Sequence, residues 1–203
     1  MDAIIQGSSE WFAARCGRAT ASRFSDILAK GKSGEATTRR NYRIQLVTER
    51  LTGEPAESFK NAAMAHGTET EPFARMAYEA HSGNLVEEVG FVQHSTLMAG
   101  CSPDGLIDLN AGCEIKSPFQ SAIHIETLES GMPSGHKAQV QGSLWVTGRE
   151  WWDFISFDPR LPDHLKLYVQ RIERDEEYIK NLEAEVIKFL GEVDELYERL
   201  MKR

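Results

Sequence analysis

Seven apolar residues near the C-terminus, Ile179, Leu182, Val186, Phe189, Val193, Leu196 and Leu200, alternate spacings of three and four. On an α-helix this spacing lines all seven along one narrow stripe. A chain that ends in such a helix must cover the stripe, with its own core or with a second subunit. Packing on its own core is the plainer reading, and the seam by itself names no partner.

Upstream the pattern reads as three helices. Residues 20–29 offer Thr20 or Ser22 as cap, with Phe24, Ile27 and Leu28 at helical spacing. Residues 37–51 place Ile44, Val47 and Leu51 on one face. Residues 60–80 read as a third helix, which Pro72 either kinks or divides. The middle of the chain then changes character. Runs 85–92, 106–109 and 113–116 read as short strands, separated by Ser102-Pro103-Asp104-Gly105 and Asn110-Ala111-Gly112. Both tetrapeptide and tripeptide suit turns. Segments 119–128 and 136–147 read as helices, 151–157 and 167–172 as strands. This mixture is an α+β pattern around a central sheet.

With 203 residues, 41% hydrophobic and no repeat or long linker, the chain reads as a single domain over 1–203 with a sizeable core. No run reaches the roughly 18 apolar residues of a membrane span, and Met1–Gln6 lacks the basic-then-apolar pattern of a secretory signal. Three cysteines, Cys16, Cys101 and Cys113, without CxxC spacing argue against a disulfide framework or a zinc or iron–sulfur site. A reduced, cytoplasmic compartment follows. The net charge of -8 opposes non-specific DNA binding on average. It is uneven: residues 173–203 hold ten acids and six bases, whereas residues 30–43 hold five cations (Lys30, Lys32, Arg39, Arg40, Arg43) against Glu35. That stretch reads either as a guide for DNA or as a solvated helix face.

The chemistry centres on Asp104, Glu114 and Lys116. Strand side chains alternate faces, so Glu114 and Lys116 point one way while Ile115 turns into the sheet. A turn at 110–112 brings Asp104 back toward Glu114. Two carboxylates and a backbone carbonyl such as that of Ile115 make a hard oxygen site suited to Mg²⁺, and a lysine beside it assists a water aimed at phosphorus. The spacing alone is also met by Asp104 as a turn residue with Glu114 and Lys116 on a solvated strand face.

A longer series of motifs bears on that choice. It comprises Trp11-Phe12-Ala13-Ala14-Arg15 with Gly17 and Thr20-Ala21-Ser22; Gly67 and Glu71; Cys101 to Leu106; Glu114-Ile115-Lys116; Ala138-Gln139-Val140-Gln141 with Trp145-Val146-Thr147; Asp158-Pro159-Arg160; and Ile172 to Glu176. In order and approximate spacing, from about residue 10 to 190, the sequence resembles the lambda exonuclease (YqaJ-like viral recombinase) family of the PD-(D/E)XK nuclease superfamily.

The resemblance implies a restriction-endonuclease-like core with a central mixed sheet flanked by helices and a long C-terminal helix. It implies an Mg²⁺-dependent exonuclease, with Mn²⁺ substituting, that degrades one strand of duplex DNA from a 5′-phosphorylated end. Products would be mononucleotides and a 3′ overhang. A homotrimer and a single-strand annealing partner belong to the same expectation. By motif match, Asp104, Glu114 and the Ile115 carbonyl hold metal, Lys116 assists the water, and Glu71 sits at the edge of the site. Arg15, Ser22, Ser102 and Gln139 match the family's 5′-phosphate pocket, where Arg supplies a planar fork and hydroxyls and an amide complete the hydrogen bonds. Within the fold an endonuclease, and beyond catalysis a DNA-end binding adaptor, are the alternative readings. The chain departs from the lambda enzyme in shorter ends, a contracted 117–137 segment, His66 before Gly67 and Ser117 after Lys116. His66 reads as a structural histidine or as a group near metal or DNA. Trp145, Trp151 and Trp152 read as core and Trp11 as packing.

Overall fold

A computed structural model describes residues 4–56 and 61–203. Helix α1 (Ser9–Arg15) leads into strand β1 (Ala19–Thr20), helix α2 (Phe24–Leu28), helix α3 (Thr37–Thr52) and helix α4 (Ala62–Ser82). Strands β2 (Val92–Gln93), β3 (Ala99–Cys101), β4 (Gly105–Ile107) and β5 (Ala111–Lys116) follow. The chain closes with α5 (Ser121–Ser130), α6 (Lys137–Thr147), β6 (Trp151–Phe157), β7 (Leu167–Glu173) and α7 (Glu176–Met201).

Two sheets form. In the larger, the order is β4-β5-β6-β7, antiparallel between β4 and β5, parallel between β5 and β6, and antiparallel between β6 and β7. The smaller has the order β1-β3-β2, with β1 parallel and β2 antiparallel to β3. Mixed sheets flanked by helices, with a 26-residue terminal helix, match the expected α+β core. Strand β5 is interior, paired on both sides and covered on both faces. Ala111, Cys113 and Ile115 pack with Ala74 and Tyr78 of α4, so Ile115 does turn into the core. The opposite face of the strand, carrying Gly112 and Glu114, looks toward Trp152 and α6.

The terminal seam is absorbed within the chain. Ile179, Leu182, Val186, Phe189 and Val193 are buried in the larger core with Tyr42, Leu46, Leu144 and Trp152, and Leu196 and Leu200 pack against its edge. Phe189 stacks on Tyr42 at 5.5 Å. Trp145 and Trp152 belong to the same core, and Trp151 packs partly buried against the second one.

Several local expectations change. Residues 20–29 are not one helix, because Thr20 is drawn into β1 opposite Gly100 and a 3₁₀ turn at Ala21–Arg23 precedes α2. The inner face of α3 carries Arg39, Tyr42, Leu46, Val47 and Glu49, while Ile44 and Leu51 are exposed. The third helix begins at Ala62 and contains Pro72 without breaking; the start expected at Lys60 lies outside the described residues. The run 85–92 contributes only a bridge at Glu87 and the start of β2. The β4–β5 turn is at 108–110, not 110–112. Asp108 takes the left-handed conformation there (φ 45), and Arg149 donates to the carbonyls of Ile107, Asp108 and Ala111. Gly112 lies within β5, where the Trp152 ring leaves room only for glycine, since a Cβ would fall 2.4 Å from it.

The core reading makes a direct prediction. Phe189→Ala removes a fully buried ring and is expected to destabilise the protein by roughly 3–5 kcal/mol, measured as a shift in urea unfolding.

Candidate active site

One open cleft of about 600 Å³ lies at the end of the larger sheet between α1, α4 and α6. Asp104, Glu114, Ile115, Lys116, Glu71, Arg15, Ser22, Ser102 and Gln139 all line it. Residues up to 124 positions apart in sequence, Arg15 and Gln139, thus meet in one place.

Strand alternation puts Glu114 and Lys116 on the same face, and Lys116 Nζ contacts Glu114 Oε1. The same oxygen accepts from Gln139 Nε2 on α6 at 2.5 Å. Glu114 is 1% exposed, which overturns a solvated strand face. Asp104, on the β3–β4 connection, is not only a turn residue either, since its Oδ2 accepts from the Ile115 backbone N–H across the hairpin at 2.6 Å. Glu71, on the cleft side of α4, is held by Arg75 at 3.3 Å, and Arg75 also pairs with Glu88.

The second half of the cleft is built on α1. Arg15 and Trp11 lie one turn apart, so the guanidinium sits 4.2 Å over the indole. Arg15 donates to Ser102 Oγ at 2.7 Å, and the Trp11 indole N–H reaches the same hydroxyl at 2.9 Å and the Gly90 carbonyl at 3.0 Å. Trp11 therefore holds two cleft residues, which its expected packing role missed. Its four-residue spacing from Arg15 was the available signal. Ser22, an exposed residue, lines the cleft with its Oγ 3.4 Å from Thr20 Oγ1. His66 sits edge-on to Phe119 at 5.7 Å, with its Nε2 buried and lacking a partner among the described residues.

Electrostatics mark the carboxylate end. Burial pushes the Glu114 carboxyl up to about 7, with Lys116 opposing and Asp104 adding to the rise. Burial likewise raises Asp104, and it raises Glu71 with Asp104 adding to it. For Lys116, burial disfavours the ammonium, but Glu114 and Asp104 more than offset this and raise its pKa. His136 is held neutral, down to about 4, by burial and by Lys116.

The donor set suits a hard divalent cation. Among the described residues no three acidic, imidazole or thiol side chains form a ready-made cage. Two carboxylates and a carbonyl do not need one, because water completes such a sphere. Among the described residues Glu114 Oε2 is buried without a hydrogen-bond partner, and an unmatched buried carboxylate oxygen beside a second acid is what a cation satisfies.

The raised Glu114 value carries a stability consequence. Its folded-state value of about 7 exceeds the ordinary 4.5. Its contribution to stability is therefore full at pH below about 4.5 and is lost as pH rises toward 7. In EDTA, Glu114→Gln should match the wild type near pH 4.5 and exceed it at pH 8 by an amount on the order of a few kcal/mol, read from urea unfolding at both pH values.

With this geometry in place, comparison with known proteins is informative. Residues 10–150 match the YqaJ-like viral recombinase domain. Two crystal structures of LHK-Exo, an alkaline exonuclease from Laribacter hongkongensis, one of them in complex with dAMP, share 43% identity. Each aligns over 96% of this chain and 97% of its own, with a TM-score of 0.89. A phage-related exonuclease from Haemophilus somnus 129PT shares the fold at 16% identity, covering 90% of this chain and 96% of its own with a TM-score of 0.72. The Escherichia coli (strain K12) protein ExoD is 40% identical over 62 residues, 30% of this chain and 70% of that one. The chain belongs to the YqaJ-like viral recombinase family and is a nuclease with the PD-(D/E)XK fold.

Proposed function

We propose that the protein is an Mg²⁺-dependent 5′-to-3′ exonuclease that degrades one strand of linear duplex DNA from a 5′-phosphorylated end. The observation that carries this reading is the continuity of the cleft: the acidic end and the Arg15–Ser102 end are joined through Gln139, whose amide touches Glu114. A terminal phosphate anchored by Arg15, Ser22, Ser102 and Gln139 leaves the next phosphodiester facing Asp104, Glu114 and Lys116. The unit released is then one nucleotide.

Arg15 and Ser102 already share a hydrogen bond, so the donors are pre-arranged and little side-chain freedom remains to be lost on binding. Asp104, Glu114 and the Ile115 carbonyl would hold the cation, with Glu71 at the edge of the same site. When bound, the cation supplies an activated water and neutralises charge on the phosphate oxygens. Lys116 orients the attacking water and stabilises negative charge building on the phosphate. Trp11, Met64 and Ala21 add apolar surface to the walls of the cleft. Continued removal of one strand leaves a 3′ single strand, the substrate for a single-strand annealing protein in recombination. Exposed Phe73, Met76, Phe119 and Ile123 leave apolar surface for the subunit contacts of a homotrimer. No helix among the described residues is long and apolar enough to cross a membrane, and a cytoplasmic site of action accords with the unpaired cysteines.

The test follows acid-soluble nucleotide release from linear duplex with 5′-phosphate or 5′-hydroxyl ends, and from closed circles, in Mg²⁺ or EDTA. Release should be metal-dependent, favour 5′-phosphorylated ends and spare circles; nicked circles would instead establish an endonuclease. Lys116→Ala is expected to slow release by at least about 100-fold. Arg15→Ala should reduce the preference for 5′-phosphorylated ends by about tenfold or more.

A further inference from the structure

Arg15 and Ser22 stand on either side of one turn, and α3 grips that turn from behind. The Gly17 N–H donates to Glu49 Oε2 at 2.7 Å, and the Gly17 carbonyl accepts from Arg50 Nε at 2.9 Å. Three residues later the Thr20 N–H donates to the Tyr42 hydroxyl at 2.9 Å. Tyr42 and Glu49 are seven residues apart, two turns along one face of α3, and both are buried, at 1% and 6% exposure. Gly17 itself is left-handed (φ 68), and a Cβ there would fall 2.7 Å from Arg50 Cγ. The shape of the turn is thus set by its contacts with α3.

Glu49 is a buried acid whose oxygens are held by N–H groups. Besides Gly17, Gln45 Nε2 donates to Oε1 at 2.8 Å and the Ala56 backbone N–H at 3.3 Å. A carboxylate buried this way resists displacement, since moving it leaves charge and donors unmatched.

We propose that Glu49 is a positioning residue for end recognition: by holding the Gly17 N–H it fixes Arg15 relative to Ser22 without touching the substrate. The inference rests on Arg15 and Ser22 binding the terminal phosphate. Position and charge predict opposite signs here. Glu49 places a negative charge within reach of Arg15, so if charge were its contribution, removing it would strengthen phosphate binding. If position is its contribution, removing it weakens recognition, because displacements of about 1 Å at a reacting site can cost about 100-fold.

The experiment compares nucleotide release from 5′-phosphate and 5′-hydroxyl ends for wild type, Glu49→Ala, Glu49→Gln, Glu49→Asp and Arg15→Ala. Glu49→Ala is expected to lower the phosphate-to-hydroxyl ratio about tenfold while release from 5′-hydroxyl ends stays within about twofold. Glu49→Gln keeps one acceptor oxygen for the Gly17 N–H and removes the charge, but its NH2 meets the Gln45 and Ala56 donors, so it should lower the ratio less than Glu49→Ala does. A folded Glu49→Ala protein with an unchanged or raised ratio overturns the proposal. Should that variant not fold, Glu49→Asp, which withdraws the carboxylate by one methylene, must lower the ratio, and an unchanged ratio there overturns it equally. A wild type indifferent to the 5′-phosphate removes the Arg15 pocket and Glu49 with it. A preference lost in Arg15→Ala but kept in Glu49→Ala removes Glu49 alone.

Discussion

The carboxylate of Glu114 is placed where a sheet would ordinarily carry an apolar side chain, on an interior strand paired to β4 and β6 and covered on both faces. Water cannot solvate it there, so its charge has to be met by the protein or by a cation. Lys116 and Gln139 meet one oxygen and leave the other without a partner among the described residues. Much of the surrounding architecture follows. Lys116 has to be two residues away to share the face, Ile115 has to close the opposite core, and α6 has to present Gln139 over the strand. Asp104 then binds the Ile115 N–H, so the loop bearing the second acid is tied to the strand bearing the first.

The other end of the cleft depends on helix packing more than on the sheet. Tyr42 stacks on Phe189 and receives the Thr20 N–H, so the apolar seam of α7 supports the turn between Arg15 and Ser22 through α3. Arg39 and Arg43 bind both Glu35 and Glu192, and Arg50 pairs with Asp194. Single exposed pairs contribute little, but two guanidiniums sharing two carboxylates at 11–28% side-chain exposure form a network joining the α2–α3 loop, α3 and α7. This also redefines the basic stretch at 30–43: its two arginines nearest α7 hold the scaffold together and are not a free surface for DNA.

How far the sequence could be read depended on how local each determinant is. The α7 seam and strands β6 and β7 carry their own periodicity, and they appeared close to where they were expected. The nine cleft residues were legible from motif order, because no composition argument brings Arg15 to Gln139. What escaped was decided by partners distant in sequence. Thr20 reads as a helix cap until Gly100 pairs with it as a strand. Gly112 reads as a turn residue until the Trp152 ring is found against it. On α3 the apolar residues Ile44 and Leu51 suggested the wrong face, because the buried one carries Arg39 and Glu49, whose neighbours are Glu192 and Gly17. Trp11 looked like packing because an indole N–H bond to Ser102 needs a residue 91 positions away.

A net charge of -8 on a nuclease is consistent with this arrangement once distance is considered. At physiological ionic strength, exposed charges are screened beyond about 8 Å, and none of the acids of α7 lines the cleft. Arg15 and Lys116 act at contact distance in a partly desolvated space, where screening is weaker. The opposing charges that matter are those of Asp104, Glu114 and Glu71, which repel a phosphate placed beside them. On the proposed reading, a cation held between those acids would offset their repulsion of a phosphate, and the phosphate's own negative charge would in turn favour the cation. The two would then be coupled in the same direction, each raising the affinity for the other by the same factor. On the proposed reading, the acidity of the cleft would thereby make phosphate binding at its carboxylate end conditional on the cation, while the Arg15 end, built on α1 and held from behind by α3, would receive the terminal phosphate.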